Sequence, residues 1–208
     1  MEPLRRGPSA ALAGLALATA GLLAACAGPR AASVGAQPAD VPLVAAGCRW
    51  ERVSGGGLGL WAQACDLATG RWRVAWSPSS QAFELQVDGR PQAVVVQAWP
   101  LARGQGPEAV VAALKAAGQL PAQSGCRLAP ARVRPLPAGV AGYVLAPPVP
   151  VPAVTASGEI PEPPCGPYGA STHGVRYFAF DPQRPDRVVF IDEGQDQPLF
   201  DARSLFGR

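Results

Sequence analysis

Histidine is almost missing from this chain: of 208 residues only His173 carries an imidazole, and no Cys-x-x-Cys pair occurs. The usual zinc-ligand spacings are therefore not found, and a Ser–His or Cys–His nucleophile pair has one histidine to draw on. Lysine is reduced to Lys115, so arginine carries nearly all the positive charge. The formal net charge is only +3, and no basic stripe with interleaved aromatics stands out, which argues against a nucleic-acid partner. No phosphate-cradling or dinucleotide-type glycine loop is present, and no cofactor is implied. No apolar run reaches the roughly 20 residues that cross a bilayer as a helix.

What the chain does have begins with Arg5 and Arg6, followed over residues 10–24 by a run of Ala, Leu and Gly. A basic start followed by a short apolar stretch is the layout of a secretory signal. Gly14, Thr19 and Gly21 interrupt the run and no polar face alternates with it, unlike a buried amphipathic helix. The run ends Leu22-Leu23-Ala24-Ala25-Cys26, and this ending resembles the lipobox of bacterial lipoproteins. The resemblance implies cleavage before Cys26, with a diacylglycerol on its sulfur and a further acyl chain on its new amino group. Such a protein is held to the membrane by acyl chains, each buried methylene contributing about 0.8 kcal/mol. Ala27 at the next position, rather than Asp, resembles lipoproteins sorted to the outer membrane in preference to the inner one. The expected organisation is thus a cleaved signal peptide at 1–25 and a flexible, lipid-anchored tether at 26–46, rich in Ala, Gly, Pro, Ser and Gln. Without Arg5, Arg6 and Glu2 the mature net charge is about +2.

Four cysteines follow the anchor: Cys48, Cys65, Cys126 and Cys165. In an exported chain an even count reads as two disulfides with three possible connectivities. Gly56-Gly57 supplies the positive φ angles of a two-residue hairpin loop. In that register the position numbers of facing residues sum to 113, and Cys48 faces Cys65. Local pairing is the expectation: Cys48–Cys65, and with it Cys126–Cys165.

The 24 Pro and 24 Gly favour strands, turns and loops over a helix bundle. All five Trp lie within residues 50–99 and all three Tyr from 143 onward, which marks two subregions of one compact domain, 47–100 and 101–208. In the first, Trp72, Val74 and Trp76 alternate with Arg71 and Arg73, and Phe83, Leu85 and Val87 repeat the period. Asp88-Gly89-Arg90-Pro91 is expected as a turn, with residues 93–99 returning as a strand. Gly106-Pro107-Glu108 is expected to open a helix that Gly118 stops, with Val110, Val111, Leu114 and Ala117 facing the sheet. Residues 147–167 contain eight Pro and read as a long extended surface loop. Residues 143–146 form a short strand, 176–180 and 187–191 a second hairpin, and 201–206 a helical turn. The expected class is α+β: mainly antiparallel hairpins, one amphipathic helix on the sheet, and long Pro-rich loops.

Candidate chemistry is sparse. Gly169-Ala170-Ser171-Thr172-His173 begins like a nucleophile elbow, but the closing Gly174 arrives one position late. Asp192-Glu193-Gly194-Gln195-Asp196 lacks the alternating ligand order of a calcium loop and reads as a solvated turn, so no metal is expected. The block Glu162-Pro163-Pro164-Cys165-Gly166-Pro167, together with Arg176-Tyr177-Phe178 and Asp186-Arg187-Val188-Val189-Phe190, resembles a group of uncharacterised proteobacterial lipoproteins. Gly174-Val175-Arg176-Tyr177 is similar to the Ser-Gly-x-(Lys/Arg)-Tyr motif of periplasmic and membrane-bound lysozyme inhibitors, with His173 where that family has Ser. That similarity implies Gly174, Arg176 and Tyr177 as inhibitory residues. The leading expectation is a non-catalytic envelope lipoprotein that packs against or binds an envelope protein. A lysozyme inhibitor comes second, and a hydrolase using Ser171 or paired carboxylates third.

Overall fold

The computed structural model describes residues 35–133, 136–148, 165–169, 174–194 and 199–207. Most of the Pro-rich stretch, residues 149–164, lies outside them. The strands are β1 (Cys48–Gly55), β2 (Leu58–Leu67), β3 (Gly70–Ser77), β4 (Ala82–Val87) and β5 (Arg90–Pro100). After the helix α1 (Ala109–Ala116) come β6 (Arg127–Pro130), β7 (Ala141–Ala146), β8 (Gly174–Phe180), β9 (Arg187–Gly194) and β10 (Phe200–Asp201). The strand order is β1-β2-β3-β4-β5-β9-β8-β7-β6, with β10 added beside β2. Every strand pairing is antiparallel. The chain is therefore mainly antiparallel β with a single α-helix among the described residues. Two meanders, β1–β5 and β6–β9, are sewn into one sheet where β5 pairs with β9.

The first hairpin has the expected register, from Cys48 opposite Cys65 to Gly55 opposite Leu58. Its loop is Gly56-Gly57, with φ of 57° and 71°, which only glycine adopts without cost. Beyond its base the hairpin leaves β3, which pairs only with residues 64–67 of β2. It then folds back over the sheet until Gly55 and Gly56 lie flat on the indole of Trp76, with no room for a side chain between them. This places Leu58, Leu60 and Ala62 of β2 over Val74, Phe83, Val96, Tyr177, Val189 and Ile191, which together form the inner core. Trp76 and Phe83 meet edge to face at 5.1 Å within it.

The opposite face of the sheet carries α1. Val110 and Leu114 are buried against Phe178, Val188 and Phe190, joined by Leu120, Cys126 and Cys165. The alternation along β8 and β9 divides each strand between the two cores. Trp99, Tyr168, Phe178 and Phe190 stack there with ring centroids 5.0–6.4 Å apart. Burial pushes the Tyr168 phenol above its ordinary pKa.

Several expectations are corrected. Pro107 and Glu108 form a turn ahead of the helix, which starts at Ala109. Ala117 is exposed and Leu120 takes its place in the core, because Gly118 (φ 69°) turns the chain back. Pro91 lies in β5, not in the turn, whose loop is Asp88-Gly89 alone. It is tolerated because β9 pairs with β5 only from Val96 onward, so Pro91 has a partner on one side only. Two register shifts occur between β4 and β5, at Phe83/Glu84 and Leu85/Gln86. The first lets both Val95 and Val96 reach buried positions.

Gly55→Ala adds a methyl where the Trp76 indole lies. It is expected to lower stability by about 1–3 kcal/mol in urea unfolding, and Trp76→Leu in the same chain should recover part of that loss. A Gly55→Ala chain as stable as its parent would mean that the hairpin does not rest on Trp76.

Candidate functional site

The paired cysteines frame the site. Cys48 and Cys65 have Cα atoms 4.0 Å apart at the point where β2 parts from β3, and Cys126 and Cys165 are 5.9 Å apart behind the sheet; each pair forms a disulfide. Cys26 lies outside the described residues, as do Ser171 and His173 of the elbow-like sequence.

The residues singled out by the inhibitor motif sit on β8 as structural contacts. Gly174 pairs with Gly194, and a side chain there would collide with the Glu193 carbonyl. Arg176 donates through Nε to Asp192 (2.8 Å), its partner across the ladder, and through Nη1 to the Pro167 carbonyl (2.8 Å). Tyr177 is fully buried, and its hydroxyl donates to Glu193 Oε1 at 2.7 Å. The solvated turn expected from Asp192 is thus a strand through Gly194, with Asp192 beside Arg176 and Glu193 5% exposed. Gln195 and Asp196 lie outside the described residues. Asp192 faces Arg176 across the ladder and Glu193 is reached diagonally by Tyr177, a signal readable only once the β8–β9 register is known.

The segment expected as free tether is in part a strap. Residues 35–46 run along β2 on the face away from the inner core. The Trp61 indole donates to the Gly35 carbonyl (2.7 Å), and Gln63 accepts from the Val44 amide (2.8 Å) while donating to the Pro42 carbonyl (3.2 Å). Arg203 grips Asp40 with two bonds of 2.7 Å and also binds Asp201, which caps the closing 3-10 turn at Ala202–Phe206. Arg203 holds the Asp40 carboxyl below its usual pKa, and the two carboxylates raise the guanidinium. Composition gave no hint of this docking. Its signal is Gln63, a fully buried amide within the apolar run from Leu58 to Cys65 of β2.

A concave polar surface lies at the base of the first hairpin. Arg49, Ala64, Arg73 and Gln86 stand in one row across β1, β2, β3 and β4, and Asp66 faces Arg71 in the next. Small Ala64, 4% exposed, leaves a pocket of about 150 Å³ walled by Arg49, Glu51, Asp66, Arg71, Trp72 and Arg73. Arg71 and Arg73 also wall a shallower cleft of about 510 Å³ with Gln86, Asp88 and Gly89. Asp66 binds Arg49 (3.1 Å) and Arg71, and Glu51 binds Arg49. Arg71 first and Arg49 second hold the Asp66 carboxyl low. Among the described residues, no group of three or more His, Cys, Asp or Glu could hold a metal ion.

Fold and site define a disulfide-stapled antiparallel β domain with a docked N-terminal strap and an arginine-lined pocket. Searches against family models, curated proteins and solved structures returned no match.

Two outcomes follow from these contacts. A carboxylate with lowered pKa stabilises above its unfolded pKa and loses that contribution as pH falls through the folded one. Amide exchange at Val44 should therefore be slow near neutrality, faster after Asp40→Asn, and alike in both chains only once the pH falls well below the ordinary carboxylate range; identical exchange at pH 7 would show that Asp40 does not hold the strap. Tyr177→Phe removes a donor from buried Glu193, and its expected cost is about 1–3 kcal/mol in urea unfolding. A neutral effect would mean that Tyr177–Glu193 adds nothing to the core.

Proposed function

We propose that this chain is a non-catalytic, lipid-anchored protein of the bacterial cell envelope, more suited to the outer than the inner membrane, whose β domain binds another envelope component close to the bilayer. The observation that carries the reading is the docked strap. If Cys26 bears the lipid, only residues 27–34 separate it from Gly35, already fastened to Trp61. Nine Cα steps reach at most about 30 Å, so the domain is held beside the membrane instead of ranging over a long tether. Two disulfides suit an oxidising compartment. The indentation between Leu58, Ala179, Arg184, Arg187, Val189 and Phe206 holds only about 10 Å³, room for about one water. We assign binding to the surface.

On this reading the Pro-rich residues 147–167 form a surface loop fastened at its far end by Cys165, and α1 makes the domain α+β. The lysozyme-inhibitor alternative draws no support from Tyr177, whose ring is committed to the core, or from Arg176, which is engaged by Asp192 and Pro167.

Mass spectrometry of the native N-terminus is expected to find acylated Cys26, and Cys26→Ala to release the chain from the membrane fraction. Short photo-crosslinkers on lipid headgroups should capture the domain, and a Gly/Ser insertion of about 20 residues after Pro29 should weaken that capture. An unmodified thiol at Cys26 overturns the anchor. Capture indifferent to the insertion overturns the short-range placement.

A further inference from the structure

We infer that the pocket over Ala64 is a binding site for a phosphoryl group, held by Arg73 with Arg71 and Arg49. The inference rests on the binding part of the reading above and is independent of the lipid anchor. Three guanidiniums converge on one concavity that holds two carboxylates, Glu51 and Asp66. Arg49 is bound by both carboxylates and Arg71 by Asp66. Arg73 is exposed and has no ion pair among the described residues, so one positive charge is left over at the pocket wall. Asp88 accepts from the Arg71 backbone amide at 2.9 Å and keeps its charge, but it lines the neighbouring cleft and not this pocket.

The spacing selects the ligand. Arg49 and Arg73 flank Ala64 from the strands on either side, so their backbones are about 10 Å apart. Side chains reaching inward from opposite walls meet a ligand from two directions. A carboxylate has two oxygens in one plane and can bridge two guanidiniums, as Asp66 bridges Arg49 and Arg71. A tetrahedral phosphoryl group offers acceptors to several sides and can be shared by Arg73, Arg49 and Arg71. Gln86, directly beside Arg73 in the ladder, offers an amide donor in the neighbouring cleft that Arg71 and Arg73 share with this pocket. Ala64 is what makes the site possible, because a larger residue there would fill the floor. A soluble phosphate ester and a phospholipid headgroup present the same chemistry.

The test uses the full chain in micelles of a non-ionic detergent at fixed ionic strength, following the Arg Nε–Hε signals by NMR. Glycerol phosphate should bind saturably and acetate about tenfold more weakly or less still. Arg73→Gln, which removes the charge, and Ala64→Val, which keeps every charge and fills the floor, should each weaken binding about tenfold or more. Arg52→Gln, on the other face of β1, should leave it unchanged. Titrating phosphatidylglycerol against phosphatidylcholine into the micelles separates the sources: an Arg73-dependent response to the anionic lipid assigns a headgroup, and its absence alongside glycerol phosphate binding assigns a soluble ester. No saturable binding of either phosphoryl probe overturns the site, as does an equal loss with Arg52→Gln. Capture of an envelope component that survives Arg73→Gln would remove the phosphoryl site from that recognition and leave the anchored-binder reading standing.

Discussion

The structure depends on a strand buried on both faces. From Leu58 to Cys65, β2 contains no charged residue, and only Trp61 among these eight escapes full burial. One face supplies Leu58, Leu60 and Ala62 to the inner core. The other lies under residues 35–46, and at one edge the Gln63 backbone amide donates to the Leu199 carbonyl at 2.8 Å. A buried primary amide without partners costs about 1–3 kcal/mol. The Gln63 side chain therefore sets the position of the strap, which must bring the Val44 amide and Pro42 carbonyl to it. The upper edge of β2 is closed from the far end of the chain, by β10 and by Ser204, whose Oγ accepts from the Trp61 amide at 2.9 Å. Both ends of the described chain thus converge on one strand.

The disulfides stand where this arrangement is most easily undone. Cys48–Cys65 joins the hairpin at the level where β2 exchanges β3 for β10 as its neighbour, so the hairpin can fold over the sheet without its strands parting. Cys126–Cys165 closes 39 residues of sequence separation behind the sheet and ties the start of β6 to the turn before β8. In the chain-entropy model loops of these sizes contribute about 3 and 4 kcal/mol. The second is the larger where regular structure is scarcest, since α1 has eight residues and β6 four.

How much of this could be read beforehand depended on whether the controlling interaction was local. The first hairpin was legible to the residue, because a Gly-Gly loop and a facing cysteine pair constrain one register twice over. The strands through Trp72 and Phe83 were legible from their period of two. The place of Pro91 is not legible in the sequence, because its tolerance in β5 depends on where β9 stops pairing, a fact set nearly a hundred residues away. Asp192 and Glu193 look like a polar turn until β8 supplies Arg176 opposite the first and the Tyr177 hydroxyl diagonally to the second. β6 and β10 are too short for any periodicity to show. The strap has the composition of a linker, and what fastens it is backbone bonding to Gln63 and Trp61 together with the Asp40 carboxylate held by Arg203. The pocket was invisible for a similar reason: Arg49, Arg71 and Arg73 meet only when three strands are laid side by side.

Under the proposed acyl anchor at Cys26, the strap also relates the pocket to the membrane. It meets β2 first at Trp61, through Gly35, and leaves it at Cys48 opposite Cys65, where the arginine pocket begins. Four strand residues separate these levels, about 14 Å at 3.4 Å each. With an acyl anchor at Cys26 and at most about 30 Å of chain before Gly35, the pocket cannot stand much more than about 45 Å from the lipid surface. A longer free tether would have given the pocket a wide shell of positions. Docking residues 35–46 removes that freedom without adding any contact at the pocket itself. An anchored chain of this design concentrates its binding surface in a layer one domain deep beside the bilayer, which raises the effective concentration of any partner confined to that layer.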